Sequence, residues 1–266
     1  MIGLSTINRA RISAVNYVRT ATITANNGDV NFPASNVALD SPYNDFYQSS
    51  ASIDASIYVD FGTEVPVDDV ALDGLTMTQS DILRIRLSST GAGQGGGDLF
   101  DSGNVGGVVP GYDLYSASLA STVGARYLRV DVHAASQAAS NFFRIGRIWA
   151  GPSLVPTIGL SYPYSEDPSD PSQMVQAPYA GKKYFNKYPR ARVCSFSWGS
   201  LNRDDAISMK EISRIAGQSS AVLFVPDPTS DHLQSEAVMG YFTKKDPISH
   251  PQFPIWGFGG DVTQSI

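Results

Sequence analysis

The amino-terminal half of the chain alternates between apolar and polar residues. In 83–87, leucine and isoleucine alternate with arginine, and 56–61 and 127–132 show the same period of two. Successive side chains of a strand point to opposite faces of a sheet, so each run predicts a strand with one buried face. Turn-forming residues separate the runs, and no helical stripe is apparent before residue 150. We predict an antiparallel β-sandwich of the jelly-roll type over 1–151.

The carboxyl-terminal part of the chain combines short strands with one helix. Asn202 is a suitable helix N-cap, two aspartates follow in the first turn, and Gly217 is a suitable stop. Apolar residues at helical spacing lie between them. Short apolar or alternating runs predict strands at 192–198, 221–225, 238–243 and 255–258. We therefore predict a smaller, β-rich domain with one α-helix over 193–266, and a chain that is predominantly all-β.

The segment 152–192 begins after a Gly-Pro pair and is rich in proline, serine, tyrosine and aspartate. Such a composition predicts an extended linker or arm between the two domains. Aromatic-rich, proline-stiffened segments suit protein interfaces, so we expect this arm to order against a neighbouring subunit. The alternative is a disordered loop. The tyrosines expected at the interface are Tyr162, Tyr164, Tyr179, Tyr184 and Tyr188.

Composition narrows the classes of partner. The chain has 266 residues, 42% of them hydrophobic, and a net charge of −6. Because a nucleic-acid-binding protein usually carries a basic stripe and none is visible, we expect no nucleic-acid partner. No run is long and apolar enough to predict membrane insertion, and the first residues do not resemble a signal peptide. We expect the protein to stay in the compartment where it is made.

Motifs for catalysis are weak. The three histidines show no metal-ligand spacing, and Cys194 alternates with aromatic residues in the manner of a buried core residue. The glycine-rich run 91–98 lacks the lysine and following helix of a phosphate-binding loop. We expect no enzymatic activity, no cofactor and no dedicated metal. A structural calcium near Asp40 and Asp45 is the alternative for that acidic turn.

Several tyrosines in or near loops are candidates for ligand contact. An aromatic face offers an apolar platform on which a sugar ring can stack. Packing or a subunit contact is the alternative that the sequence favours. These candidate residues are Tyr43, Tyr47, Tyr112 and Tyr115.

The first 151 residues resemble galactose-binding-like, discoidin-type modules. The segment 32–50 has the asparagine, acidic turn, aromatic step and serines that open such modules, and 58–62 forms an Asp-x-Gly corner after a strand. The strands at 67–72, 126–130 and 143–149 follow in the family's order. Phe46-Tyr47 stands where the family usually has tryptophan. The resemblance implies the sandwich fold and leaves sugar binding open.

The second half resembles the carboxyl-terminal part of bacteriophage tail-tip proteins of the distal-tail or baseplate type. The shared elements are the aromatic strand at 196–198, a capped helix, the apolar strand ending in Asp-Pro at 222–228 and the Gly-aromatic strand at 239–242. The resemblance implies a structural virion component, assembled in the host cytoplasm as a hexameric or trimeric ring that contacts tail tube and hub proteins. The alternative is a carbohydrate-binding adhesin that recognises a host surface polysaccharide.

Overall fold

The computed structural model describes residues 9–50, 53–90, 97–107, 113–137, 142–161, 164–170, 172–176, 183–186 and 190–265. The prediction of a predominantly β chain is confirmed. Its strands are β1 (Arg11–Ser13), β2 (Thr22–Ala25), β3 (Tyr47–Gln48), β4 (Asp54–Asp73), β5 (Ile82–Ser88), β6 (Phe100–Asp101), β7 (Val105–Gly106), β8 (Tyr115–His133), β9 (Arg144–Ile145), β10 (Arg147–Gly151), β11 (Ser165–Ser169), β12 (Gln173–Gln176), β13 (Lys183–Asn186), β14 (Ala191–Leu201), β15 (Val222–Val225), β16 (Val238–Lys245), β17 (Ser249–Gln252) and β18 (Ile255–Gln264). The α-helices are α1 (Arg203–Ala216) and α2 (Leu233–Glu236), and the 3-10 helices are Tyr17–Thr20, Ala34–Ala38 and Ala135–Gln137. Across these ranges no helix has both the length and the hydropathy that crossing a bilayer requires.

The amino-terminal unit is built on a seven-stranded antiparallel sheet. Its strand order is β10-β4-β8-β5-β6, with β2 beside β4 and β7 beside β5. Because the side chains alternate, Leu83 and Ile85 of β5 and their cross-strand partners Val132 and Val130 of β8 all point into the core. The two-stranded sheet of β3 and β9 adds Tyr47 to the same core. The predicted sandwich is thus confirmed.

The second unit is a sheet of the order β1-β15-β16-β18-β14-β11, with β17 added beside β18. Helix α1 begins as predicted: the Asn202 side chain accepts a hydrogen bond from the Asp205 backbone at 2.8 Å, and Gly217 ends the helix with a positive φ. The apolar face of α1 packs on one face of the sheet through Met209 and Ile212. One helix face and one sheet face therefore form the core of this unit.

The two units share a third apolar core. Strand β15 is buried on both faces: Phe224 points toward the α1 side, and Leu223 points toward the amino-terminal unit. There Leu223 joins a cluster that includes Met239 of β16, Ala71 of β4 and Trp149 of β10. A strand covered on both faces is apolar at every position, which explains the unbroken hydrophobic run at 222–225.

Strand β1 corrects the predicted domain bounds. Its residues were expected within the sandwich, but Ile12 pairs with Phe224 of β15 and is fully buried in the second unit. Backbone hydrogen bonds of 3.1 and 2.8 Å also join Ile12 to Leu154. From β1 onward the described chain therefore passes from the second unit into the sandwich and returns to the second unit after Gly151.

The segment 152–192 also differs from the predicted arm. Strand β11 pairs with β14 and forms the outer edge of the second sheet, while β12 and β13 pair with each other as a separate two-stranded ribbon. Every residue of β11 is exposed, so the strand lacks the apolar alternation that would have predicted it. Part of the expected linker is therefore integral to the second unit.

Candidate functional site

Two of the four candidate aromatics lie in the core. Tyr47 is fully buried, meets Phe143 edge to face at 6.1 Å and donates a hydrogen bond to the Asn27 carbonyl at 2.6 Å. Tyr115 is also buried. Their rings fill the sandwich, so the packing that the sequence favoured is what the structure has, and the sugar-platform alternative is wrong for these two residues. Tyr43 is 40% exposed, and Tyr112 lies outside the described residues.

The tyrosines of the predicted arm also divide between a core position and an exposed position. The Tyr164 ring packs 6.2 Å from Phe224, and its hydroxyl lies 3.6 Å from the Cys194 sulfur, so it belongs to the core of the second unit. Tyr184 of β13 is exposed. The described residues do not include Tyr162, Tyr179 and Tyr188. The interface role expected of Tyr184 remains a prediction.

Cys194 has the surroundings of a structural thiol. It is fully buried beside aromatic side chains, and burial raises the pKa of the thiol to about 11. A nucleophilic cysteine needs a depressed pKa, because the thiolate is the reactive form. Cys194 therefore contributes apolar volume to the core.

At the acidic turn, the Asp40 carboxylate contacts two arginine side chains. Asp40 forms an ion pair with Arg19 and lies 3.6 Å from the Arg147 guanidinium. Over the described part of the chain, no three His, Cys, Asp or Glu side chains converge as a metal ion would require. The calcium alternative thus has no carboxylate cluster to support it at this turn.

A polar cleft of about 320 Å³ opens on the outer face of the sandwich. Strands β4, β5 and β8 lie side by side there, and the residues that alternate with their core positions point outward. Charged, amide and hydroxyl side chains converge in this cleft, with the half-exposed Ile82 at one side. Its polar lining residues are Asp54, Ser56, Arg84, Arg86, Asn104, Asp131 and His133.

Ion pairs hold the cleft side chains in place. Arg84 binds Asp101 with two parallel bonds, 2.9 Å from Nε to Oδ1 and 2.5 Å from Nη2 to Oδ2. Arg86 binds Asp131. His133 Nδ1 lies 2.6 Å from Asp54 Oδ1. Two-bond pairing fixes the plane of a guanidinium, so the Arg84 donors are oriented before any ligand arrives.

Asp131 and Asp101 remain ionised at neutral pH. Burial alone would raise the pKa of Asp131, but hydrogen bonds from Ser56, Arg86 and Arg129 outweigh it and lower the pKa. The hydrogen bond from Arg84 lowers the pKa of Asp101 to about 2. The cleft therefore presents fixed negative and positive charges side by side.

Part of this cleft could be predicted from the sequence. Alternation alone places Arg84 and Arg86 on one face of β5, opposite the core positions. It does not show that β8 is the neighbour of β5, which brings Asp131 and His133 beside those arginines. The pairing of distant strands was the missing signal.

Comparisons with known proteins find likeness in structure alone. No protein-family model matches the chain, and no curated protein sequence matches it either. A Ruminococcus gnavus fucosidase solved with fucose shares 13% identity at a TM-score of 0.42; the alignment covers 53% of this chain and 27% of that protein. A Streptococcus pneumoniae fucose-binding module shares 8% identity at a TM-score of 0.42, and the alignment covers 52% of this chain and 98% of that module. The lectin domain of lectinolysin, solved with Lewis b antigen, shares 12% identity at a TM-score of 0.43, and the alignment covers 53% of this chain and 99% of that domain.

This likeness is partial. The chain spans about a quarter of the length of the fucosidase that it matches. All three TM-scores lie below 0.5, so these matches assign no ligand to this chain. The tail-tip role implied by the sequence resemblance has no support from these three structures, two of which are glycan-binding modules and one a fucosidase.

Proposed function

We propose that this protein is a non-catalytic carbohydrate-binding protein, and that the polar cleft between β4, β5 and β8 holds the ligand. The observation that carries the proposal is the convergence of Arg84, Arg86, Asp131 and His133 in one open cleft. The two arginines lie on β5 and the other two residues on the paired strand β8, and placement on regular strands suits precise positioning of polar groups.

The chemistry of the cleft matches a polyhydroxylated ligand. Neighbouring sugar hydroxyls donate and accept hydrogen bonds, and a planar guanidinium or carboxylate can bind two of them at once. The bonds to Asp101 use Nε and Nη2 of Arg84, and a guanidinium carries five N–H donors in all. Ile82 offers an apolar contact for the C–H face of a sugar ring. The ion pairs reduce the entropy lost when a ligand orders these side chains.

The charge state of the cleft favours binding over hydrolysis. A glycosidase needs one carboxylic acid whose raised pKa keeps its proton available for the leaving group. Hydrogen bonds from Ser56, Arg86 and Arg129 lower the pKa of Asp131, and the hydrogen bond from Arg84 lowers that of Asp101 beside the cleft. These two carboxylates therefore accept hydrogen bonds and do not supply a proton.

A glycan array probed with the intact protein tests the proposal, with bacterial surface polysaccharides and fucosylated glycans both represented. A glycan that binds is then titrated by calorimetry against R84A and H133A. We expect R84A to bind at least about tenfold more weakly, because a hydrogen bond from a charged group is worth about 1.5–3 kcal/mol, and H133A to bind more weakly as well because it removes a ring nitrogen from the cleft.

R126A is the matched control. Arg126 lies on β8 of the same sheet, pairs with Asp60 at 3.2 Å and is about as exposed as Arg84, but it does not line the cleft. Its affinity should equal that of the wild type. Absence of glycan binding, or an equal loss in R126A and R84A, would exclude the cleft as a sugar site.

The tail-tip role, the ring-shaped homo-oligomer and the virion location stay predictions of the sequence resemblance. They are compatible with a glycan-binding cleft, because an adhesive tail protein would carry both. Light scattering on the purified protein measures the oligomeric state directly.

A further inference from the structure

A second groove runs along helix α1 in the carboxyl-terminal unit. One cleft of about 520 Å³ lies between α1 and the β17–β18 hairpin. A second of about 650 Å³ continues toward the end of α1. The two clefts share Lys210, Ile248 and Trp256, so they form one continuous groove, which we call the α1 groove.

The length of the α1 groove suits a chain segment better than a small metabolite. Helix residues from Arg203 to Arg214 line it. At 1.5 Å per residue this wall is about 17 Å long. An extended peptide rises about 3.3 Å per residue, so the wall matches roughly five residues.

Apolar side chains stand exposed in the part of the α1 groove formed by the first cleft. Ile207 of α1 is 57% exposed, and Phe253 on the opposite wall is 89% exposed. His250 and Trp256 stack at 4.2 Å on that same wall. Apolar groups gathered in a concave surface mark an interaction site, whereas isolated ones need no explanation.

The rim of the α1 groove is positively charged although the protein carries a net charge of −6. Arg203, Lys210, Arg214 and Lys245 line it, against Asp246 as the one acidic lining residue. Within the described part of the chain, neither Arg203 nor Lys210 has an ion-pair partner. The charge therefore favours an anionic occupant.

We infer that the α1 groove binds an extended acidic peptide segment of a partner protein. A central aromatic or large aliphatic residue of the peptide fills the space between Ile207 and Phe253, and flanking carboxylates meet Arg203 and Lys210. This follows the general pattern of apolar anchors surrounded by a polar rim. A nucleic acid fits less well, because aliphatic Ile207 interrupts the cations along α1 and the two stacked rings of His250 and Trp256 already cover each other.

The probe is a five-residue peptide with a central phenylalanine and two glutamates on each side, capped at both ends. A peptide with lysines in place of the glutamates serves as its counterpart. Calorimetry at low ionic strength should show binding of the acidic peptide alone, with affinity that falls as salt is added. K210E and I207S should each weaken that binding at least about tenfold.

Matched control variants separate the groove from the rest of the surface. K183E reverses an exposed lysine on β13, and I215S changes another exposed isoleucine of α1, and neither residue lines the groove. Both should bind the peptide as the wild type does. Circular dichroism verifies that each variant is folded, and K210A replaces K210E if the charge reversal disturbs α1.

Three results would overturn the inference: equal binding of both peptides, a loss of binding in the control variants equal to that in K210E, or no binding of the acidic peptide. Tighter binding of a single-stranded oligonucleotide that is sensitive to K210E would assign the groove to nucleic acid instead. Because these measurements use no glycan, they succeed or fail independently of the polar cleft.

Discussion

Arg147 and Asp73 form an ion pair that is buried where the two structural units meet. The Nη2 atom of Arg147 lies 2.7 Å from Oδ2 of Asp73, and both side chains are almost fully excluded from solvent. The same Nη2 donates to the hydroxyl of Ser265, which follows β18 of the second unit. The pair therefore links the edge strand of the sandwich to the end of the chain.

Replacing Arg147 by leucine should lower the free energy of unfolding by about 3–5 kcal/mol, because it leaves the Asp73 carboxylate buried without its counterion. Chemical denaturation at neutral pH measures the loss. R214L is the control: Arg214 pairs with Glu211 on the exposed face of α1, where water screens the pair and its loss should leave the free energy of unfolding nearly unchanged. Similar losses in the two variants would show that burial of the first pair has no energetic consequence.

Asp69 should make stability fall as the pH rises. Burial raises the pKa of Asp69 to about 6, although Ser118 donates a hydrogen bond to the carboxylate and Arg11 lies 3.8 Å away. The unfolded value is about 4, so between about pH 4 and pH 6 the folded state binds more protons than the unfolded state. Protonation therefore stabilises the fold at low pH, and up to about 3 kcal/mol of that stability is lost as the pH rises from about 4 to about 6.

The measurement is the difference in the free energy of unfolding between the wild type and D69N across this pH range. As the pH rises from about 4 to about 6, the wild type should lose stability relative to D69N. Above about pH 6 the difference should stay constant. D101N is the control and should run parallel to the wild type in this range, because Arg84 lowers the pKa of Asp101 to about 2 and its contribution is lost only below about pH 4. Parallel curves for the wild type and D69N would contradict the prediction.

Local signals were sufficient for the elements whose cause is local. The alternation at 83–87 and the cap at Asn202 each depend on a few neighbouring residues, and the structure has both. Strand β1 has three residues and pairs with β15 more than 200 positions away, so no window of the sequence could reveal it. For Tyr47 the sequence left surface contact and packing both open, and only the structure shows that its ring is buried.

The candidate sites follow the same rule. Alternation places Arg84 on the outer face of β5, but only the sheet order puts Asp131 next to it. The α1 groove depends on the approach of Phe253 and Trp256 to a helix that precedes them by about 40 residues. Chemistry that depends on the meeting of distant segments requires the fold itself.

The N-cap of α1 should contribute about 1 kcal/mol. The Asn202 side chain accepts a hydrogen bond from the Asp205 backbone at 2.8 Å and donates one to Thr157 at 3.0 Å. N202A removes both and should lower the free energy of unfolding by about that amount, measured by denaturation. N202D keeps the acceptor and should recover most of the loss; an equally unstable aspartate variant would show that the cap is not the cause.

Gly146 should not accept a larger side chain. A Cβ atom at this position would lie 2.3 Å from the Pro42 carbonyl oxygen, where real contacts do not occur. G146A therefore forces the backbone apart next to the buried Arg147, and we expect a loss of about 1–3 kcal/mol in a denaturation experiment. G159A is the control, because the space around Gly159 is open. A neutral G146A would mean that the Pro42 loop moves aside without cost.

The first described strand should stabilise the second unit more than the sandwich that follows it in sequence. Ile12 is fully buried against the core of α1 and β15, so I12A should cost about 2–5 kcal/mol. Amide hydrogen exchange locates the effect: β15 should lose more protection than β5, because Ile12 pairs with Phe224 and does not contact the core of the sandwich. I23A, on β2 of the sandwich, is the control and should show the reverse order. If I12A instead exposed β5 first, β1 would have to belong to the sandwich, as its place in the sequence suggests.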